Sequence, residues 1–171
     1  MKPKTVGRFA GQVTGETPFE MSGYRAGFGA DSILLTLAGE MPVSEISIGD
    51  RVITRDSGVA IVRSVTSRQV TVQAVRIIAG SLGHTRPDCD VILPSGQPIL
   101  VRDWRAQAMF NARQAMVPAS RLIDGEFITD AGTQEMSLYH LHFDAPHILY
   151  VDGLELASDA AAVSAAQEKA A

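Results

Sequence analysis

Three observations predict an all-β domain carrying one short helix. Apolar, β-branched runs four to nine residues long recur along the chain and are separated by closely spaced Gly, Pro, Asp and Ser turn signals. A single segment, residues 102–116, has helical spacing instead. Nearly half of the 171 residues (46%) are apolar and a fifth (20%) are charged, which is enough apolar surface for one sizeable core.

The first unit is Gly27–Arg55. Ile33–Leu37 reads as a strand, and Ala38-Gly39-Glu40 as a turn in which Gly39 can take positive φ. Met41-Pro42-Val43 resumes the chain, Gly49-Asp50 turns it again, and Arg51–Thr54 is the next strand. Arg55–Gly58 is a strong turn with Val59–Val65 as its hairpin partner, and Val70–Ile78 is a further β-rich run. Asp90–Leu93 and Pro98–Val101 are short apolar runs flanking a Pro94-Ser95-Gly96 turn. In the helical segment Ala106, Met109, Phe110, Arg113 and Met116 share one face, with Asp103 placed to cap the first turn. Its Met and aromatic stripe reads as core, not as a cofactor box. Leu122–Ile128 is a strand-and-turn unit. Ser137–Val151 alternates on both sides of an Asp144-Ala145-Pro146 turn, with Leu138, His140 and His142 on one face.

Three domain segments follow. Residues 1–26 are a Gly-rich polar arm, either packed or flexible; 27–158 are the β domain; 159–171 are an Ala-rich tail too short for a stable lone helix. A net charge of −4 gives no support for nucleic-acid binding. One cysteine, Cys89, excludes an internal disulfide, and its aspartate neighbours Asp88 and Asp90 disfavour a thiolate, so it reads as half-buried and passive. Lys2 and Lys4 are followed by no apolar stretch of the kind a secretory signal needs, and no apolar run approaches a membrane span. The expectation is a cytoplasmic chain by default, with non-classical export or particle association left open.

The order of motifs resembles the Hint (hedgehog/intein) domain in its bacterial form. Phe28, Thr36, Gly39, Pro42, Val43, Ile46, Gly49, Asp50, Val52 and Thr54 fall on the family's opening pattern. Val75–Gly83, Val117–Ile128 and Tyr139–Ser158 are similar to three later motifs, in register. The resemblance implies a horseshoe-shaped β fold. It also implies a self-cleaving chemistry, in which a Cys or Ser side chain attacks the carbonyl before it while a His protonates the departing amide nitrogen.

The family's nucleophile position falls on Gly27, so the bond in question would be Ala26–Gly27. The amide-protonating His falls on Gln97, and the late His on His147. Gly27 has no side chain, and Gln97 cannot act as a general acid near neutral pH. The implied reading is a Hint-like domain that has lost self-cleavage and serves as a structural or protein-interaction module, with an unidentified protein partner, no cofactor and no metal. The alternative is an autoprocessing domain with a substitute nucleophile, Ser22 or Ser32. A third reading gathers His140, His142 and His147, with Asp144, around a hydrolytic metal. Asp124, Glu126, Asp130 and Glu135 read as a solvated face.

Overall fold

A computed structural model describes residues 26–159. The arm and tail expected on either side lie outside the described residues, apart from Ala26 and Asp159. Among the described residues twelve strands, one α-helix and two 3-10 turns follow one another, and the strands form two sheets with open edges.

The first sheet has four strands in the order β1-β10-β6-β7. Its centre is a ribbon of two long antiparallel strands, β6 (Ser64–Ile77) and β10 (Ile128–His142). A register shift between Asp130 and Gly132 bends β10, and Gly132 there takes φ +75°. β1 (Phe28–Gly29) pairs with β10 at Tyr139 and Leu138, and β7 (Val91–Pro94) pairs with the other end of β6.

The second sheet runs β3-β2-β4-β11-β12-β8-β9, with β5 on β4. β2 (Ile33–Thr36) and β3 (Gly39–Pro42) form the expected first hairpin, closed by Thr36 Oγ1 donating to the Gly39 carbonyl at 2.7 Å. β4 (Arg51–Thr54) and β5 (Gly58–Ile61) form the second. β11 (Ile148–Val151) and β12 (Leu154–Ala157) lie at the centre, and β8 (Pro98–Val101) and β9 (Ala115–Pro118) at the far side. Between β8 and β9 sits α1 (Trp104–Phe110).

One expectation needs correction, and the strand pairing adds a finding. The helix ends at Phe110 instead of running to Met116, because Asn111 enters the left-handed region (φ 51°, ψ 41°) and its N–H closes the last turn. Met116 is buried, but as a residue of strand β9. The runs on either side of Asp144-Ala145-Pro146 do not pair with each other. β10 stays in the first sheet and β11 crosses to the second, and the same crossing separates β7 from β8.

The crossings let one core serve both sheets. Phe28, Val75, Ile77, Ile128 and Leu141 of the first sheet pack in one cluster with Leu34, Val52, Ile99, Leu149 and Leu156 of the second. Burial of this apolar area is the main stabilising contribution.

Candidate functional site

The chain enters the described structure beside β10. The β1–β10 register, Phe28 opposite Tyr139, puts Gly27 next to His140 and holds the Ala26–Gly27 peptide against the strand. Gln97 arrives from elsewhere: it ends the turn between β7 and β8, where its N–H donates to the Pro94 carbonyl at 3.0 Å. The two strands belong to different sheets, so the crossing itself delivers Gln97 to the bond.

Both ends of the amide are held. Gly27 N–H donates to Gln97 Oε1 at 2.9 Å, and His140 Nε2 lies 2.8 Å from the Ala26 carbonyl oxygen. A carbonyl oxygen only accepts, so the His140 contact requires the proton on Nε2. Gln97 is 1% exposed, and its Nε2 donates to the carbonyls of Pro98 (3.1 Å) and Ala157 (3.0 Å). Those two carbonyls fix the carboxamide, because a flipped amide would face them with oxygen. Both the oxygen and the nitrogen of this buried side chain are thereby engaged.

Gly27 has φ +139°, and a Cβ built there would stand 3.1 Å from His140 Nε2 and 3.2 Å from Leu138 Cβ. The position is shaped for glycine. A cavity of about 320 Å³ opens beside the bond, lined among others by Gln97, His140, His142, Phe143 and Ser158.

His147 has partners of its own. Its Nδ1 is 3.1 Å from Asp56 Oδ2 and 3.0 Å from Ser57 Oγ, its N–H donates to Ser158 Oγ, and its ring meets Phe143 edge-on at 5.7 Å. Burial pushes the Asp56 carboxyl up, but the Ile148 N–H and the His147 ring outweigh it and hold it below the ordinary aspartate value. His142 Nε2 is 3.5 Å from Thr66 Oγ1. The three histidines therefore face three different partners, and no group of three His, Cys, Asp or Glu able to hold a metal gathers among the described residues. Asp144 is paired with Arg63, which holds its carboxyl below the ordinary value.

Of the substitute nucleophiles, Ser22 is outside the described residues. Ser32 lines a separate groove with Gly29 and Cys89. Cys89 is exposed, not half-buried. Among the solvated-face carboxylates, Asp124 organises its own turn, since its Oδ1 accepts from the N–H groups of Glu126, Phe127 and Ile128. Sequence reasoning singled out His140 only as a metal ligand. Its adjacency to the Ala26 carbonyl follows from the β1 register, and two residues of strand leave little periodicity to read.

The profile of the Hint domain matches residues 26–160. The chain belongs to the Hint domain family. Among solved structures, the Hint domain here is similar to a DnaB intein from Synechocystis sp. PCC 6803, with 11% identity and a TM-score of 0.54, over 77% of this chain and 96% of that one. It is also similar to a bacterial intein-like domain from Clostridium thermocellum, with 16% identity and a TM-score of 0.51, over 77% and 96%. The gp41-1 intein gives 14% identity and a TM-score of 0.51, over 77% and 97%. At these identities the likeness is one of fold, and the open sheets agree with the horseshoe shape of that fold. No curated protein matches the chain significantly. Among the described residues no helix is long and apolar enough to cross a membrane.

Proposed function

We propose that this Hint domain holds the Ala26–Gly27 bond without breaking it and works as a structural or protein-interaction module. The observation that carries this reading is the glycine between His140 and Gln97. The amide is gripped at both ends, yet the residue that would attack it has no side chain. Gln97 accepts the amide N–H but has no proton to give the nitrogen, and loss of a general acid alone costs roughly 10²–10⁴-fold. Without a covalent nucleophile the acyl shift has no first step. An intact bond leaves residues 1–26 joined to the domain, where they can serve as the link to a partner protein.

The second reading, self-cleavage by a substitute nucleophile, draws on one feature. A protonated His140 Nε2 at the Ala26 oxygen is placed where negative charge would develop during attack.

Intact mass spectrometry separates the two. The freshly purified chain, incubated with a thiol or with hydroxylamine, is expected to keep its full-length mass. A fragment beginning at Gly27, or at a nearby serine, would overturn the non-cleaving reading. In a companion variant, Gly27→Cys with Gln97→His, thiol-dependent cleavage after Ala26 is the expected gain. It requires His140 and Leu138 to yield a few tenths of an ångström to the new Cβ, and the fold to hold a side chain at φ +139°.

A further inference from the structure

A second polar cluster is built on β12, an interior strand of the larger sheet. Glu155 there is buried between Leu154 and Leu156, with its side chain 2% exposed. Three arginines converge on it from separate parts of the chain: Arg55 after β4, Arg86 from the loop before β7, and Arg102 after β8. Arg102 makes a two-pronged contact, Nε to Oε2 at 2.9 Å and Nη2 to Oε1 at 2.9 Å. Arg55 Nη1 and Arg86 Nη1 each stand 3.3 Å from Oε1.

The charges do not balance. One carboxylate faces three guanidiniums, and its oxygens are already crowded by four nitrogen contacts. Arg55 spends one further donor on Gln114 Oε1. The Arg86 side chain has the ion pair but no hydrogen bond within the described residues, and its Nε is buried without a partner. The neighbouring acids do not compensate. Asp56 turns to His147 and the Ile148 N–H, and Asp88 packs on Gly153 without an ion pair among the described residues. The arginine side chains are 29%, 18% and 32% exposed, so their outer edges reach solvent.

We propose that Arg55, Arg86 and Arg102 form a receiving site for an oxyanion, a carboxylate or phosphate group, with Glu155 as the internal counter-ion that aims the three forks. Guanidinium edges match the two-oxygen geometry of these groups, and partial burial protects the attraction from screening by salt. The site is independent of the Ala26–Gly27 bond and stands whether or not that bond is cut.

Titration followed through arginine Nε–H NMR signals tests it, with two probes: inorganic phosphate and a short glutamate-rich peptide. The signals of Arg55, Arg86 and Arg102 are expected to shift together and saturate with at least one probe. Phosphate alone would identify a small-anion site, and the peptide alone an acidic segment. Arg86→Gln should weaken binding at least tenfold while Arg55 and Arg102 still hold Glu155. If that variant fails to fold, Arg55→Gln, at a more exposed position, is expected to give the same loss. Shifts that never saturate, that are equal at Arg51, Arg63 and Arg76, or that survive the folded variant would overturn the proposal.

Discussion

Gly27 combines a positive φ of +139° with a crowded side, so its replacement is costly for two separable reasons. Gly27→Ala should destabilise the domain by about 1–3 kcal/mol through backbone strain, less a few tenths recovered from the stiffer unfolded chain. A lower urea midpoint with an unchanged slope is the expected signature. Gln97→Leu removes the partner of the Gly27 N–H and of the Pro98 and Ala157 carbonyls, all in a buried setting. Unpaired buried groups cost about 1–3 kcal/mol each before water enters, so a loss of about 3 kcal/mol is expected by the same assay. A loss below about 1 kcal/mol would mean that the carboxamide is not what holds the bond. The alignment of motifs named Gly27 and Gln97 as two separate positions. Their meeting could not be read from it, since 70 residues separate them. The Glu155 cluster left a faint trace, a charged residue inside Leu154–Ala157, but its three partners are scattered along the chain.

The helix shows at the scale of one element how a periodic pattern can outrun the structure. Residues 102–116 keep apolar spacing throughout, yet Asn111 adopts the left-handed conformation and the next apolar residues join strand β9. Asparagine tolerates that conformation because its short amide can bond locally, a preference that spacing alone does not register. The start was legible: Asp103 accepts from the Arg105 N–H at 3.0 Å, as expected of a cap. Asp103→Ala should cost about 1 kcal/mol. The same change removes the Arg105 ion pair, so Arg105→Ala alone is the control. If both variants lose the same stability, the ion pair and not the cap carries the effect.

For the whole molecule, strand content and turn positions were legible because alternation and Gly, Pro and Asp punctuation are local. Sheet membership was not. Short strands on either side of a turn read as hairpins, whereas here the chain passes from one sheet to the other at Asp144–His147 and again at Ser95–Gln97, which the shared core rewards and no local pattern announces. Those crossings and tight turns are held partly by carboxylates, and this sets the acid response. Asp56 and Asp124 are raised by desolvation but lowered more by their partners together, the Ile148 N–H and the His147 ring for Asp56 and the N–H groups of Ile128, Glu126 and Phe127 for Asp124. Asp90 is lowered by the Ala79 N–H and Arg76, and Asp144 by Arg63. Each therefore binds its proton less readily folded than unfolded. The stability they contribute is fully present above the ordinary aspartate value of about 3.9 and is lost as pH falls through the folded values. Unfolding midpoints measured from about pH 5 down to about pH 2.5 should decline steadily. Added salt should restore little of the loss, because fixed backbone donors, unlike the exposed Arg63–Asp144 pair, are not screened away. Asp124→Asn keeps an acceptor for the turn but no longer titrates, so it should flatten the decline. A variant as acid-sensitive as the parent would remove Asp124 from the account.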